Sequence, residues 1–157
     1  MVRPGSLIAP VRRSVHVPVT PDIAFARFTA EIGQWWPAAT HSVGQGQVAA
    51  VVLEPGEGGR LYERLEDGTE HNWGWIRAWE PPHRVVMSWH PGSEGVVETE
   101  LEVRFVADAG GTKVSLEHRG WEVLADQAQT VRDGYESGWA SVLAAYTASL
   151  GTAPDTP

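Results

Sequence analysis

The chain has 157 residues, a formal net charge of −8 and no cysteine. That length suits one domain with a full hydrophobic core, and without cysteine neither disulfides nor thiolate metal sites can form, which fits a reducing compartment. An acidic chain with no Lys/Arg-rich run lacks the electrostatic footprint of a nucleic-acid binder and is repelled by anionic membrane surfaces.

No stretch approaches the ~18 apolar residues of a membrane span. The opening MVRPGSLIAPVRRS lacks the long apolar run of a secretory signal, so a cytoplasmic location is expected. Residues 1–10 carry Pro and Gly without periodicity and read as a flexible lead-in. A first strand follows, where Val11, Val15, Val17 and Val19 alternate with Arg12, Ser14 and His16. Thr20-Pro21-Asp22 opens a helix with a capping hydroxyl, a Pro suited to the first helical position and an acid at the positive end of the dipole. Gly33 interrupts and Trp35-Trp36-Pro37 closes the segment, so two short helices are expected, over residues 21–29 and 31–36. Residues 41–47 form a polar loop, 48–53 a second strand and 54–59 a turn. That glycine-rich turn lacks the Lys-Ser/Thr and the helix of a phosphate-binding loop.

Residues 58–90 are the centre of the pattern. Strands are expected near residues 60–65, 71–79 and 84–89, with Asp67-Gly68 as a hairpin signal and Pro81-Pro82 as a stop. Pro91 to Gly95 is a turn. From residue 97 to 105, Val97, Thr99, Leu101, Val103 and Phe105 alternate with Glu98, Glu100, Glu102 and Arg104, giving one buried and one wet face. Thr112, Val114, Leu116 and His118 mark the apolar side of a last strand. From about residue 124 to 150 the period becomes helical, and Val131, Tyr135, Trp139, Val142, Leu143, Tyr146 and Leu150 form one stripe. Gly134 and Gly138 weaken that helix by ~1 kcal/mol each and would let the sheet approach closely. The class is therefore α+β. An antiparallel sheet of about seven strands must be covered by the single large amphipathic helix. The domain spans residues 11–150, with a disordered tail at 151–157.

Taken together, these motifs carry a family resemblance. They are Trp35-Trp36-Pro37, Glu54-Pro55, Gly58-Gly59-Arg60, Tyr62-Glu63-Arg64, Trp73-Gly74, Trp79-Glu80-Pro81-Pro82, Trp89, His118-Arg119-Gly120-Trp121, Tyr135 and Gly138-Trp139. The chain resembles the START-like (SRPBCC) superfamily, in the branch named after the activator homologue of the heat-shock protein 90 ATPase. The resemblance implies a helix-grip fold, with a curved sheet, a long C-terminal helix across its concave face and an apolar cavity between them. It also implies binding of hydrophobic molecules, with cyclisation or hydration chemistry in some members.

The six histidines show neither HxH nor HExxH spacing, so no metal is expected, and no cofactor motif appears. Ser93 has no GxSxG elbow around it and reads as turn chemistry. Strand parity aims Glu63 and His118 at the apolar face, where they either orient a ligand, act as acid and base, or make internal hydrogen bonds that hold the core. Trp73, Trp75 and Trp79 share one parity, and Gly74, Ile76 and Ala78 the other. Residue pattern leaves both orientations open; the resemblance favours the small residues inward and the tryptophans as an outer ladder, a candidate homodimer or partner surface. Met87, Trp89, Leu101 and Val103 would then face the cavity from the sheet, Tyr135 and Trp139 from the helix, and Trp35 and Trp36 would stand at its mouth. Eight tryptophans either fill a core or line an aromatic cavity. The leading expectation is binding of a small hydrophobic or aromatic ligand. The alternatives are an enzyme of the polyketide cyclase or hydratase type, with Glu63 and His118 as catalytic candidates, and a co-chaperone-like interaction module.

Overall fold

In the computed structural model, which describes residues 8–90 and 98–151, seven strands form one antiparallel sheet in the order β1-β7-β6-β5-β4-β3-β2. They are β1 (Val11–Val17), β2 (Val48–Leu53), β3 (Arg60–Leu65), β4 (Glu70–Glu80), β5 (Arg84–Trp89), β6 (Thr99–Asp108) and β7 (Gly111–Arg119). The sheet curls into a half-barrel closed by the long helix α2 (Ala128–Ser149). The expected lead-in before residue 8, the turn at Pro91 to Gly95 and the tail after Gly151 lie outside the described residues. Among the described residues no helix is long and apolar enough to cross a membrane.

Helix α1 (Pro21–Phe28) starts at Thr20, with Pro21 in its first turn. The second expected helix shrinks to a single 3-10 turn, Ile32–Gln34. At Gly33 a Cβ would sit 2.5 Å from the Val51 carbonyl oxygen, so glycine lets the chain hug β2 at that point. The C-terminal helix also begins later than expected. Residues 121–127 form a 3-10 segment broken at Ala125, whose φ of 52 and ψ of −120 are not helical.

The strand containing three tryptophans departs most from its sequence pattern. Register slips between Leu61 and Tyr62 on one side and between Ile76 and Ala78 on the other insert two bulges into β4. Each bulge adds one unpaired residue and turns the following side chains over. Trp73 therefore points inward and is 1 % exposed, Trp75 points outward and is 42 % exposed, and Trp79 packs edge-on against Phe25 at 5.1 Å. The small-residues-inward arrangement holds at Trp75 and Ile76, which is 3 % exposed in the core, but fails at Trp73 and Trp79, so no outer ladder of three tryptophans exists. Gly74 has a different purpose from lending cavity space: a Cβ would meet the Ser88 carbonyl oxygen at 1.8 Å, so glycine lets β5 close onto the bulge.

The outer face of β6 is less wet than alternation suggests. Glu102 is buried there beneath Arg84, Arg104 and Arg119, at 2.6, 2.7 and 2.7 Å. The inner face carries Leu101, Val103 and Phe105, which join Trp139, Val142, Leu143 and Tyr146 of α2 in one core.

Candidate functional site

A cavity of about 270 Å³ lies between the sheet and α2. Its walls are Trp36, Trp73, Trp89, Trp139 and Tyr135, closed by Val142, Gly138 and the segment from Thr40 to Val43. The four indoles meet one another: Trp36 lies 5.1 Å from Trp73, 6.0 Å from Trp89 and 5.9 Å from Trp139, and Trp89 lies 5.2 Å from Trp139. A shallower groove outside shares His41, Tyr135 and Gly138 with it.

Every indole N–H in the wall is satisfied within the protein. Trp36 donates to the His41 carbonyl at 2.7 Å, Trp73 to Glu63 at 2.8 Å, Trp89 to the Tyr135 hydroxyl at 3.1 Å and Trp139 to His118 at 2.9 Å. The box consequently shows a guest its ring faces rather than its donors. Those faces carry partial negative charge and favour stacked or edge-to-face aromatic contacts.

Glu63 and His118 stand one layer behind these walls. Glu63 is fully buried and accepts four hydrogen bonds, from the Val43 and Gly44 amides at 2.8 and 2.7 Å, Trp73 at 2.8 Å and His71 Nδ1 at 2.9 Å. Burial pushes its pKa upward, but the hydrogen bonds from His71, Val43, Trp73 and Gly44 outweigh it and leave the carboxyl below its ordinary value. A carboxylate with both oxygens doubly engaged has no lone pair left for a substrate proton. Its work is to tie the 43–44 loop and Trp73 to the sheet.

His118 is held in one tautomer. Trp139 donates to Nδ1, so Nε2 carries the proton and donates to Thr99 Oγ1 at 2.6 Å, which in turn donates to the Trp89 carbonyl at 3.2 Å. Burial drives the imidazole pKa down to about 3. The ring is a neutral strut between a sheet residue and a helix tryptophan, with both nitrogens engaged.

The profile of the Activator of Hsp90 ATPase homolog 1-like protein family matches residues 18–150. The chain belongs to that family. Among solved structures, this Hsp90-activator-like chain is similar to Txn09, an anthrahydroquino-γ-pyrone synthase, at 34% identity over 91% of this chain and 97% of that one, with a TM-score of 0.63. It is similar to CalC, a self-sacrificing resistance protein from Micromonospora echinospora, at 28% identity over 91% and 94%, with a TM-score of 0.66. It shares its fold with the Aha1 dimer of Colwellia psychrerythraea, at 15% identity over 90% and 95% and a TM-score of 0.62. No curated protein matches the sequence.

Of the residues expected at the site of this Hsp90-activator-like chain, Trp36, Trp89, Tyr135 and Trp139 line the cavity. Trp35 turns away into the core against Phe28 and Tyr146, at 5.4 and 5.1 Å. Trp36 is a wall rather than a mouth residue. Met87, Leu101 and Val103 are buried within the sheet packing and do not reach the cavity. Trp73 and the residues from Thr40 to Val43 were missed. A bulge placed Trp73, and nothing in a polar Gly-containing segment marks it as a wall. Gly138 lines the cavity, and a Cβ there would reach His41 only at 4.0 Å, an ordinary van der Waals contact, with no sheet residue within that distance.

Proposed function

We propose that this chain binds a planar aromatic small molecule within the tryptophan box. The observation that carries this reading is four converging indoles whose N–H groups are all spent on the protein. A volume of about 270 Å³ stands just under the ~300–1,000 Å³ of ordinary ligand pockets, so a compact guest of two or three fused rings suits it. The relationship to Txn09 supports the same class, because its name specifies a fused-ring aromatic product. The test is titration of the chain with naphthalene and with trans-decalin, read by tryptophan fluorescence. Stacking gains about 0.5–1.5 kcal/mol per aromatic pair, so naphthalene should quench saturably and bind at least about tenfold tighter than its saturated counterpart. Equal affinity for the two, or no saturable quenching, would reject the aromatic reading.

A second reading, catalysis on such a molecule, is favoured by 34% identity to a synthase over nearly the whole of both chains. Glu63 and His118 are poor candidates for it, being fully hydrogen-bonded. His41 is better placed: it lines the cavity and the adjoining groove, and among the described residues only its Nδ1 is engaged, with Thr40 Oγ1 at 2.7 Å. Closure of an o-hydroxyaryl 1,3-diketone to a chromone with loss of water is the reaction to assay. A rate above buffer that His41→Ala abolishes, with naphthalene affinity kept, would establish turnover.

A further inference from the structure

Among the hydroxyls of the cavity, that of Tyr135 is distinguished by what it lacks. Its oxygen accepts from Trp89 Nε1 at 3.1 Å, and among the described residues its proton has no acceptor. The other hydroxyls at the wall are committed to backbone, Thr40 to the Pro37 carbonyl and Ser42 to the Ala38 carbonyl. The phenol cannot easily swing elsewhere. Its ring is held by His118 at 4.9 Å, Trp121 at 5.4 Å and Trp139 at 6.3 Å. Accepting one hydrogen bond also polarises the O–H and strengthens it as a donor. Burial raises the pKa of the group, which keeps the proton in place.

We propose, on the premise that the cavity takes a planar aromatic molecule, that Tyr135 selects guests bearing a conjugated carbonyl oxygen, such as an aryl ketone or a pyrone, over bare hydrocarbons. Carbonyl lone pairs lie in the plane of the guest. The edge carrying the oxygen therefore meets Tyr135 while the ring faces meet the indoles, and one hydrogen bond fixes the orientation of an otherwise slippery flat molecule. A site that offers a fixed donor discriminates against an analogue that cannot accept from it.

The experiment compares chromone with naphthalene on the full chain and on Tyr135→Phe. The measured quantity is the ratio of the two dissociation constants in each protein, which cancels the different hydration of the probes. The preference for chromone over naphthalene should fall about tenfold in Tyr135→Phe, whatever change in naphthalene affinity follows from leaving the Trp89 N–H without its acceptor. The carbonyl stretch of bound chromone should move to lower wavenumber in the parent chain and return in the variant. An unchanged ratio with naphthalene still bound would overturn the role of Tyr135 and leave the aromatic box standing. Failure of the parent chain to bind naphthalene would overturn both. Should Tyr135→Phe lose naphthalene as well, the carbonyl band of chromone in the parent chain decides, an unshifted band counting against the proposal.

Discussion

Buried ionisable side chains, among them His118, Glu63 and the arginine-covered Glu102, shape the pH response of this domain. His118 has a folded pKa of about 3 against an ordinary value of 6.5, so between those values the unfolded chain binds a proton that the folded chain refuses. Its contribution is complete above pH 6.5 and is lost progressively as pH falls toward 3. The slope is about 1.4 kcal/mol per pH unit for one proton. Glu63 acts in the same direction over a lower window, opening as pH falls through its ordinary 4.5, because its folded pKa is also depressed. Urea denaturation between pH 7 and 4.5 should therefore show declining stability. His118→Phe should start lower by about 1–3 kcal/mol, since Thr99 and Trp139 lose a buried partner, yet its profile should be flatter by one proton. Glu63→Gln places an amide NH₂ against donors from Val43, Gly44, His71 or Trp73, and should cost about 2–4 kcal/mol. Its diagnostic is local: amide hydrogen exchange at Val43 and Gly44 should rise more than exchange in β6. Uniform loss of protection would deny the latch. Strand parity made the inward aim of Glu63 and His118 readable. Their hydrogen-bond partners were not readable, because Val43, Gly44, Thr99 and Trp139 reach them through tertiary packing that no periodicity encodes.

Among the elements, legibility follows how local the governing forces are. Strand β2 and strand β5 match their apolar runs residue for residue, because short apolar runs bounded by turn residues fix them locally. β4 does not, since its two bulges come from pairing with β3 and β5 at once. A parity rule applied to Trp73, Trp75 and Trp79 assumes unbroken register, and that assumption failed at Trp73 and Trp79. The surface this leaves is one exposed indole, Trp75, rather than a ladder of three. The glycines of α2 give the clearest element-level test. Nothing lies within 4 Å of a Cβ built on Gly134, whereas one on Gly138 meets His41. Gly134→Ala should therefore stabilise the helix by roughly 1 kcal/mol through propensity alone, with naphthalene affinity unchanged. Gly138→Ala should gain similar helix stability, but its methyl would stand in the cavity that Gly138 lines and weaken the probe. Thermal melts paired with titrations separate the two effects, and equal behaviour of both variants would deny Gly138 its place in the wall.

At the scale of the whole molecule, the cavity is not an appendage to the core but an interruption of it. Trp36, Trp73, Trp89 and Trp139 belong to the same packed cluster as Phe28, Phe105 and Tyr146, and the same side chains that would grip a guest hold sheet, loop and helix together. Binding must then report directly on global stability. A guest that binds only the folded state at a free concentration of 100 times its dissociation constant adds about 2.7 kcal/mol. For a domain of this length each kcal/mol raises the melting temperature by about 2–4 °C, so saturating naphthalene should raise it by roughly 5–10 °C. Trp75→Ser offers the control, because that indole lies outside the cavity and its loss should leave the ligand-induced increment intact. Trp36→Leu should abolish the increment, since Trp36 touches three of the other walls at once. An increment that survives Trp36→Leu would place the guest elsewhere, and the tie between core packing and recognition would be lost with it.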